Sequence, residues 1–176
     1  MPGPFLSTVL LGGAAIAEAG SPAQRRQWLP QIAAGGTKAA LAWTEPNLRW
    51  DAAGIALPAR EAGGGFTLSG TKLFVGDAHL ADILVVAART RDGSTMEDGV
   101  SLFLVPKDSS GIEITTLPTI DETRKLCEVR LDNVALPAST LLGELHRGWA
   151  PLSRVIARAT VALAAEMCGA RNRCST

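Results

Sequence analysis

The chain has 176 residues, of which 47% are hydrophobic, and this suffices for one ordinary domain with a buried core. Basic and acidic residues number 17 each, so the net charge is formally zero and bulk electrostatics give no argument for nucleic-acid binding. We expect no nucleic-acid partner. The cysteines Cys127, Cys168 and Cys174 have spacings that match neither a disulfide framework nor a zinc site. This predicts a reducing, cytoplasmic compartment and no bound metal.

The first twenty residues predict a buried helix. The alternative is a secretory signal, because the small residues near Ala19 imitate a cleavage site. However, no positively charged region precedes the apolar run, and Gly12 and Gly13 interrupt it. The run is also too short and too rich in glycine to span a membrane. We expect one helix over 4–19 and a second that is capped by Ser21 and stopped by glycines at 35 and 36.

From residue 37 onward, short apolar segments alternate with turn signals. In one of them Phe66, Leu68, Leu73 and Val75 are the apolar members, and in the next the apolar run is continuous, as in a strand covered on both faces. Seven such strands predict a compact all-β barrel or sandwich. The segments cover residues 37–45, 54–62, 63–76, 81–90, 99–107, 111–118 and 125–137.

At Gly143 the pattern returns to that of a helix. Leu152, Val155 and Ala159 recur at helical spacing, and we expect exposed apolar surface on this helix because nothing follows it to cover it. The chain therefore predicts an α+β fold, a central β barrel or sandwich flanked by helices. We expect the end of an N-terminal helical domain at 1–36, a middle β domain at 37–142 and the truncated start of a C-terminal helical domain at 143–176.

Five stretches of this sequence, in order, resemble the flavin-dependent acyl-CoA dehydrogenases. TEPNLRWDAAG is similar to the Thr-Glu-Pro-x-x-Gly-Ser-Asp turn of that family, and GFTLSGTKLFVGDAHLAD to its Gly-x-Lys-x-aromatic-Ile-Thr-Asn-Gly stretch. SLFLVPKDSSGIEI and VRLDNVALPASTLLGELHRGWA resemble the later strands and the entry into the C-terminal helices. GSPAQRRQWLPQIAAGGTKAALAWTEP fits the last helix before the β domain. The likeness covers nearly the whole chain and implies the fold of that family.

The resemblance implies a cofactor, FAD, and a substrate, an acyl-CoA thioester. It also implies an electron-transfer flavoprotein or similar acceptor as a partner, a homo- or hetero-oligomer, and no membrane span. Backbone N–H groups and Thr44 Oγ would be fixed donors that stabilise negative charge on the reduced flavin ring. The positions that match the cofactor-contacting stretches of the family are Leu41, Trp43, Thr44, Arg49, Trp50, Phe74, Val75 and Gly76.

The sequence departs from the family at two of these places. Arg49 and Trp50 replace Gly-Ser, so that Arg49 is either a phosphate donor or a solvated surface charge, and Trp50 occupies space normally open to ligand. Gly76, Asp77 and Ala78 replace Thr-Asn-Gly, which removes a hydroxyl near the reactive flavin nitrogen. The Arg-Trp-Asp turn resembles a subgroup found in actinobacterial lipid and sterol catabolism.

The catalytic base of the family is a glutamate that lies beyond Thr176 in the family's C-terminal domain. Glu166 does not match it, so the resemblance implies no catalytic residue in this chain and no activity of the chain alone. In the full protein the chain would serve FAD-dependent α,β-desaturation of the thioester. The alternative is a non-catalytic subunit or scaffold that pairs with a complete homologue.

Other conspicuous side chains have plainer interpretations. Trp43 and Trp50 are alternatively ordinary core or rim aromatics. Glu45 and Asp51 are expected to anchor the turn. The histidines at 79 and 146 are expected on the surface or in loops, because neither has a catalytic partner at a recognisable spacing.

Overall fold

The computed structural model describes residues 3–93, 95–121 and 123–174, without the side chains of 172–174. A π-helical segment, Leu6–Gly13, continues as α1, Ala14–Ala19. Helix α2, Pro22–Ala33, begins with the predicted cap: Ser21 Oγ accepts from the Gln24 N–H at 3.2 Å, and the Gln24 side chain accepts from the Ser21 N–H at 2.9 Å. Both expected helices are therefore confirmed.

The π-helical winding of the first segment was not expected from the sequence. Gly12 lies against β1, Ala39–Ala42, so closely that a Cβ on Gly12 would stand 2.6 Å from the Cβ of Ala39. Glycine thus allows the helix backbone to pack directly on the strand. The two glycines that argued against a secretory signal are both buried, Gly12 against β1 and Gly13 toward Ile32 of α2.

The β region forms two four-stranded sheets. One has the strand order β1-β4-β5-β8 and the other β2-β3-β7-β6; β1 and β4 are parallel, and the other paired strands are antiparallel. All seven predicted strands are confirmed. An eighth, β8, was not predicted because it has only two residues. The remaining bounds are β2 Ala59–Ala62, β3 Gly65–Gly76, β4 Ile83–Arg89, β5 Val100–Pro106, β6 Ile112–Thr116, β7 Leu126–Pro137 and β8 Leu141–Leu142.

The core has two layers, and β4 contributes to both. Alternate side chains of β4 pack between the two sheets, while the others pack between the first sheet and the helices, as expected for a strand covered on both faces. Among the described residues, the two sheets form a sandwich and no closed barrel, which decides between the two predicted forms. The side chains of β4 facing the second sheet are Leu84, Val86 and Ala88, and those facing the helices are Ile83, Val85 and Ala87.

The last helix, α3, covers Trp149–Cys174 and packs beside α1. Leu152 and Val155 are completely buried, whereas Arg154 and Arg158 lie on another face and form ion pairs with Glu18 of α1 at 2.7 and 2.8 Å. Farther along, apolar side chains such as Val161, 71% exposed, face outward, as the sequence predicted. No helix within the described ranges is long and apolar enough to cross a membrane.

Candidate functional site

A cavity of about 300 Å³ lies where the first sheet, the π-helical segment and α3 meet. The end of β1 and the turn after it form one wall, the C-terminal end of β3 forms another, and apolar side chains of α3 such as Ile156 close it. The structure brings six of the eight predicted cofactor-contacting residues to this cavity. They are Leu41, Trp43, Thr44, Trp50, Phe74 and Gly76.

Two tryptophans form an aromatic corner of the cavity. The rings of Trp43 and Trp50 meet edge to face, with centroids 5.2 Å apart and planes inclined by 82°. Trp43 is only 8% exposed and belongs to the core between sheet and helices, whereas Trp50 is 67% exposed. Trp43 is therefore both a core aromatic and a cavity wall, and Trp50 is a rim aromatic that leans on it.

Phe74 enters the cavity because β3 is bulged. The register of β3 against β7 shifts between Lys72 and Val75, and Phe74 has a left-handed backbone with φ of 55°. An aromatic residue in this conformation is strained, which is frequent at ligand sites. The bulge is held by Thr44, whose carbonyl accepts the Leu73 N–H at 2.9 Å and whose Oγ1 donates to the Leu73 carbonyl at 2.5 Å.

The hydroxyl hydrogen of Thr44 is thus engaged inside the protein. The sequence predicted Thr44 Oγ as a donor to a ligand, but in this structure its hydrogen bond to Leu73 uses that donor. The oxygen of a hydroxyl keeps acceptor capacity. Thr44 therefore contributes to the cavity wall chiefly by fixing the bulge beside Phe74.

The cavity also has a charged end that the site prediction missed. Asp77, with φ of 54°, accepts a hydrogen bond from Ser7 Oγ at 2.7 Å and so joins β3 to the π-helical segment. Arg124 and Lys125 line the same end, and Arg124 forms an ion pair with Glu166 of α3. The hydrogen bond from Arg124 lowers the pKa of Glu166 from its ordinary value to about 2.

These charged residues had little signal in the sequence. Ser7 and Asp77 are far apart in the chain, and nothing in the spacing of Arg124 and Glu166 relates a loop to a distant helix. Only the Gly-Asp-Ala departure from the family pattern pointed to Asp77.

Two predicted residues do not line the cavity. Val75 is buried in the core between the two sheets. Arg49 is exposed and makes two hydrogen bonds to Asp51, Nε to Oδ1 at 3.1 Å and Nη2 to Oδ2 at 2.7 Å. This pairing raises the pKa of Arg49 and lowers the pKa of Asp51. Asp51 also accepts the Gly54 N–H at 3.1 Å, which confirms its expected role in the turn.

The histidines lie outside the cavity. His79 is in a short 3-10 turn, Ala78–Leu80, with Nδ1 3.7 Å from the sulfur of Cys127. His146 is in a loop, where Nδ1 lies 2.8 Å from Thr90 Oγ1 and the backbone N–H donates to Ser101. Partial burial lowers the pKa of His146. In the part of the chain that the structure describes, no group of three or more potential ligands is arranged to hold a metal ion.

The fold and the cavity define a class of protein. Residues 40–134, from β1 into β7, match the sequence profile described as the acyl-CoA dehydrogenase, middle domain. The match covers more than half of the chain, and the chain belongs to the acyl-CoA dehydrogenase family. The resemblance inferred from the motifs is thereby confirmed.

Particular relatives agree with this. The chain is 35% identical over 137 residues to the mitochondrial long-chain specific acyl-CoA dehydrogenase of Sus scrofa, and the match covers 76% of this chain but only 32% of that protein. Its fold is similar to a glutaryl-CoA dehydrogenase from Mycobacterium smegmatis solved in complex with FADH2, with a TM-score of 0.76, 33% identity, and coverage of 85% and 38% of the two chains. It is also similar to butyryl-CoA dehydrogenase from Megasphaera elsdenii, with a TM-score of 0.83, 27% identity, and coverage of 89% and 41%.

Proposed function

We propose that this chain supplies one wall of the flavin site of an FAD-dependent acyl-CoA dehydrogenase. In the complete protein, the reaction would be α,β-desaturation of an acyl-CoA thioester. The observation that carries the proposal is the convergence of six residues, chosen from sequence motifs alone, on one cavity of about 300 Å³. The FADH2 complex of the similar glutaryl-CoA dehydrogenase gives further support.

The residues of the cavity fit a flavin. Trp43, Trp50 and Phe74 give aromatic surface against which a planar ring can pack. A Cβ on Gly76 would have only one neighbour, the Cβ of Ser7 at 3.8 Å, so the backbone beside the ring is open to close approach. Lys125 lines the charged end of the cavity and offers positive charge toward a phosphate or a thioester carbonyl.

The chemistry divides between the cofactor and the chain. When bound, FAD supplies the acceptor for a hydride from the substrate. The residues of this chain orient the ring and exclude water: Trp43 is fixed in the core, and Phe74 is fixed by the bulge. Backbone N–H groups at the end of β1 would contribute fixed dipoles that stabilise negative charge on the reduced ring.

The proposal extends to the organisation and partners of the complete protein. Residues 1–36 would end an N-terminal helical domain, 37–142 would form the middle β domain, and 143–176 would begin a C-terminal helical domain. The acceptor of the reducing equivalents would be an electron-transfer flavoprotein or a similar protein, and the enzyme would be an oligomer of the Arg-Trp-Asp subgroup. The chain spans 32% of the length of the Sus scrofa relative, so these assignments concern the full-length protein.

A second candidate function is that of a non-catalytic subunit that pairs with a complete homologue. Two observations favour it: Trp50 stands at the cavity where the family has a small residue, and the Arg49 side chain is paired with Asp51. In this case the cavity would receive an element of the partner protein and no flavin.

Titration of the purified chain with FAD tests the first candidate. We expect saturable quenching of tryptophan fluorescence and a yellow protein after removal of free FAD. Trp28→Phe is the control, since Trp28 lies away from the cavity and its replacement leaves Trp43 and Trp50 in place. A protein that stays colourless and is not quenched at high FAD concentration would favour the second candidate.

A further inference from the structure

A lysine and a glutamate form a buried ion pair behind the cavity wall. The side chain of Lys72 is 0% exposed, and its Nζ lies 2.6 Å from Glu45 Oε1. Nζ also lies 3.5 Å from the carbonyl oxygen of Trp43. Lys72 therefore contacts both the anion and the backbone of the residue that forms the aromatic corner.

Glu45 is fixed from its other side as well. Its carboxylate accepts the backbone N–H groups of Ala56 and Leu57 at distances of 3.0 to 3.1 Å. These two residues follow the 3-10 turn Ala52–Gly54, so the carboxylate closes the loop that carries Trp50. The expected anchoring role of Glu45 is confirmed, and the anchor reaches into β3 through Lys72.

The pair belongs to a continuous cross-link between two segments of chain. Residues 43–45 and 72–74 run past each other; Trp43 and Glu45 are joined to Lys72, and Thr44 is joined to Leu73 by two hydrogen bonds. The first segment carries Trp43 into the cavity and the second carries Phe74. The separation of these two walls is thus set by the bonds between the segments.

Burying such a pair costs free energy, because both charges lose their hydration. Removing both charges from water costs more than their attraction commonly returns, and apolar residues of similar size often stabilise a core equally well. Burial lowers the pKa of Lys72 to about 8, even though Glu45 opposes the shift. Beyond its mutual attraction, the pair satisfies the N–H groups of Ala56 and Leu57 and contacts the Trp43 carbonyl, so it fixes the geometry of three backbone segments that an apolar pair would leave unbonded.

We infer that Glu45 and Lys72 are positioning residues, which hold the Trp43 wall and the Phe74 bulge at the separation that a bound flavin ring requires. The inference rests on the proposed function. It assigns to the two residues a role through Trp43 and Phe74, without contact between either charge and the cofactor.

The test compares the unmodified chain with the double variant Glu45→Leu/Lys72→Met, which replaces the pair with apolar groups. We expect a lower unfolding temperature, because the N–H groups of Ala56 and Leu57 lose their acceptor. At a temperature where the variant is folded, we expect FAD binding about tenfold weaker, because the directional bonds between the two segments are lost. Near-ultraviolet circular dichroism without FAD should also change, since it reports the Trp43–Trp50 geometry. Arg91→Met is the control: it removes an ion pair with Asp98 that lies away from the cavity, and should change neither readout.

The isosteric variant Glu45→Gln keeps the test decisive if the double variant does not fold. It retains the side-chain volume and an oxygen, and we expect weaker FAD binding and an altered tryptophan signal in it too. Unchanged FAD affinity and unchanged dichroism in a folded variant would overturn the inference. Absence of FAD binding by the unmodified chain would instead overturn the proposed function, while the dichroism would still report whether the pair positions Trp43.

Discussion

The indole rings of Trp43 and Trp50 stand edge to face, 5.2 Å apart between centroids, on the two sides of the Thr-Glu-Pro turn. One ring is buried in the core between sheet and helices, and the other is 67% exposed at the mouth of the cavity. A core residue thereby supports a rim residue that has little other packing. Ligand binding in the cavity must contact or displace this pair.

Replacing Trp50 shows whether its side chain packs against a bound flavin or blocks the cavity. If Trp50 packs against bound flavin, Trp50→Ala should weaken FAD binding by about tenfold, the size of one aromatic contact. Trp50→Phe keeps an aromatic ring and should retain most of the affinity. Equilibrium dialysis with FAD measures both variants.

The opposite result has an equally definite meaning. Tighter FAD binding by Trp50→Ala than by the unmodified chain would show that Trp50 fills the space of the cofactor. The non-catalytic subunit would then be the better account of the chain.

The hydroxyl of Thr44 should matter for stability. Thr44→Val keeps the shape but removes the donor to the Leu73 carbonyl, and we expect a loss of about 1 kcal/mol in the free energy of unfolding. Thr44→Ser retains the hydroxyl and should lose less. Urea unfolding followed by circular dichroism compares the two; equal losses would contradict a role for this hydrogen bond.

The left-handed backbone at Phe74 gives a prediction of unusual sign. Because glycine adopts φ near 55° without the steric penalty of a Cβ, Phe74→Gly should be about 1 kcal/mol more stable than Phe74→Ala. Both variants remove the whole aromatic ring of this half-exposed side chain, so the packing lost is nearly the same in the two. If alanine proves as stable as glycine by thermal unfolding, the backbone is not left-handed in solution.

The irregularity of β3 could be predicted from the sequence, but its buried lysine could not. The apolar alternation runs through Phe66 and Leu68 and then changes phase to Leu73 and Val75, which is the signature of an irregular strand. In the structure, the register of β3 against β7 shifts twice, between Leu68 and Gly70 and between Lys72 and Val75. As a result, Leu73 is only partly buried and Lys72 is completely buried. A charged residue in a core position cannot be predicted from alternation, because its partner, Glu45, lies in another segment.

Some residues of the cavity could likewise be predicted from the sequence, whereas the contacts that position them could not. Motif resemblance identified the aromatic and glycine positions of the cavity, since these occur in contiguous stretches of sequence. The contacts that position them join distant segments, such as Ser7 to Asp77 and Arg124 to Glu166, and no local pattern encodes them. Arg49 is a case in which the decisive contact is local. Its guanidinium, which the sequence suggested as a phosphate donor, is hydrogen-bonded to Asp51, only two residues away.

The ion pair between Arg124 and Glu166 predicts a specific loss of stability in acid. The folded-state pKa of Glu166 is lowered from 4.5 to about 2, so its contribution to stability is fully present above pH 4.5 and disappears as the pH falls to about 2. Thermal unfolding of the unmodified chain and of Glu166→Gln should therefore differ at neutral pH and converge toward pH 2. A difference that stays constant across this range would contradict the assignment, and Arg124→Met should reproduce part of the neutral-pH loss.

The central claim is that FAD binds against Trp43 and Trp50. The chain has four tryptophans, and the other two, Trp28 and Trp149, do not line the cavity. In a ¹⁵N-labelled sample, the indole N–H resonances of Trp43 and Trp50, assigned with Trp→Phe variants, should shift on addition of FAD while those of Trp28 and Trp149 stay in place. Shifts confined to Trp28 or Trp149, or no shift at saturating FAD, would contradict the claim.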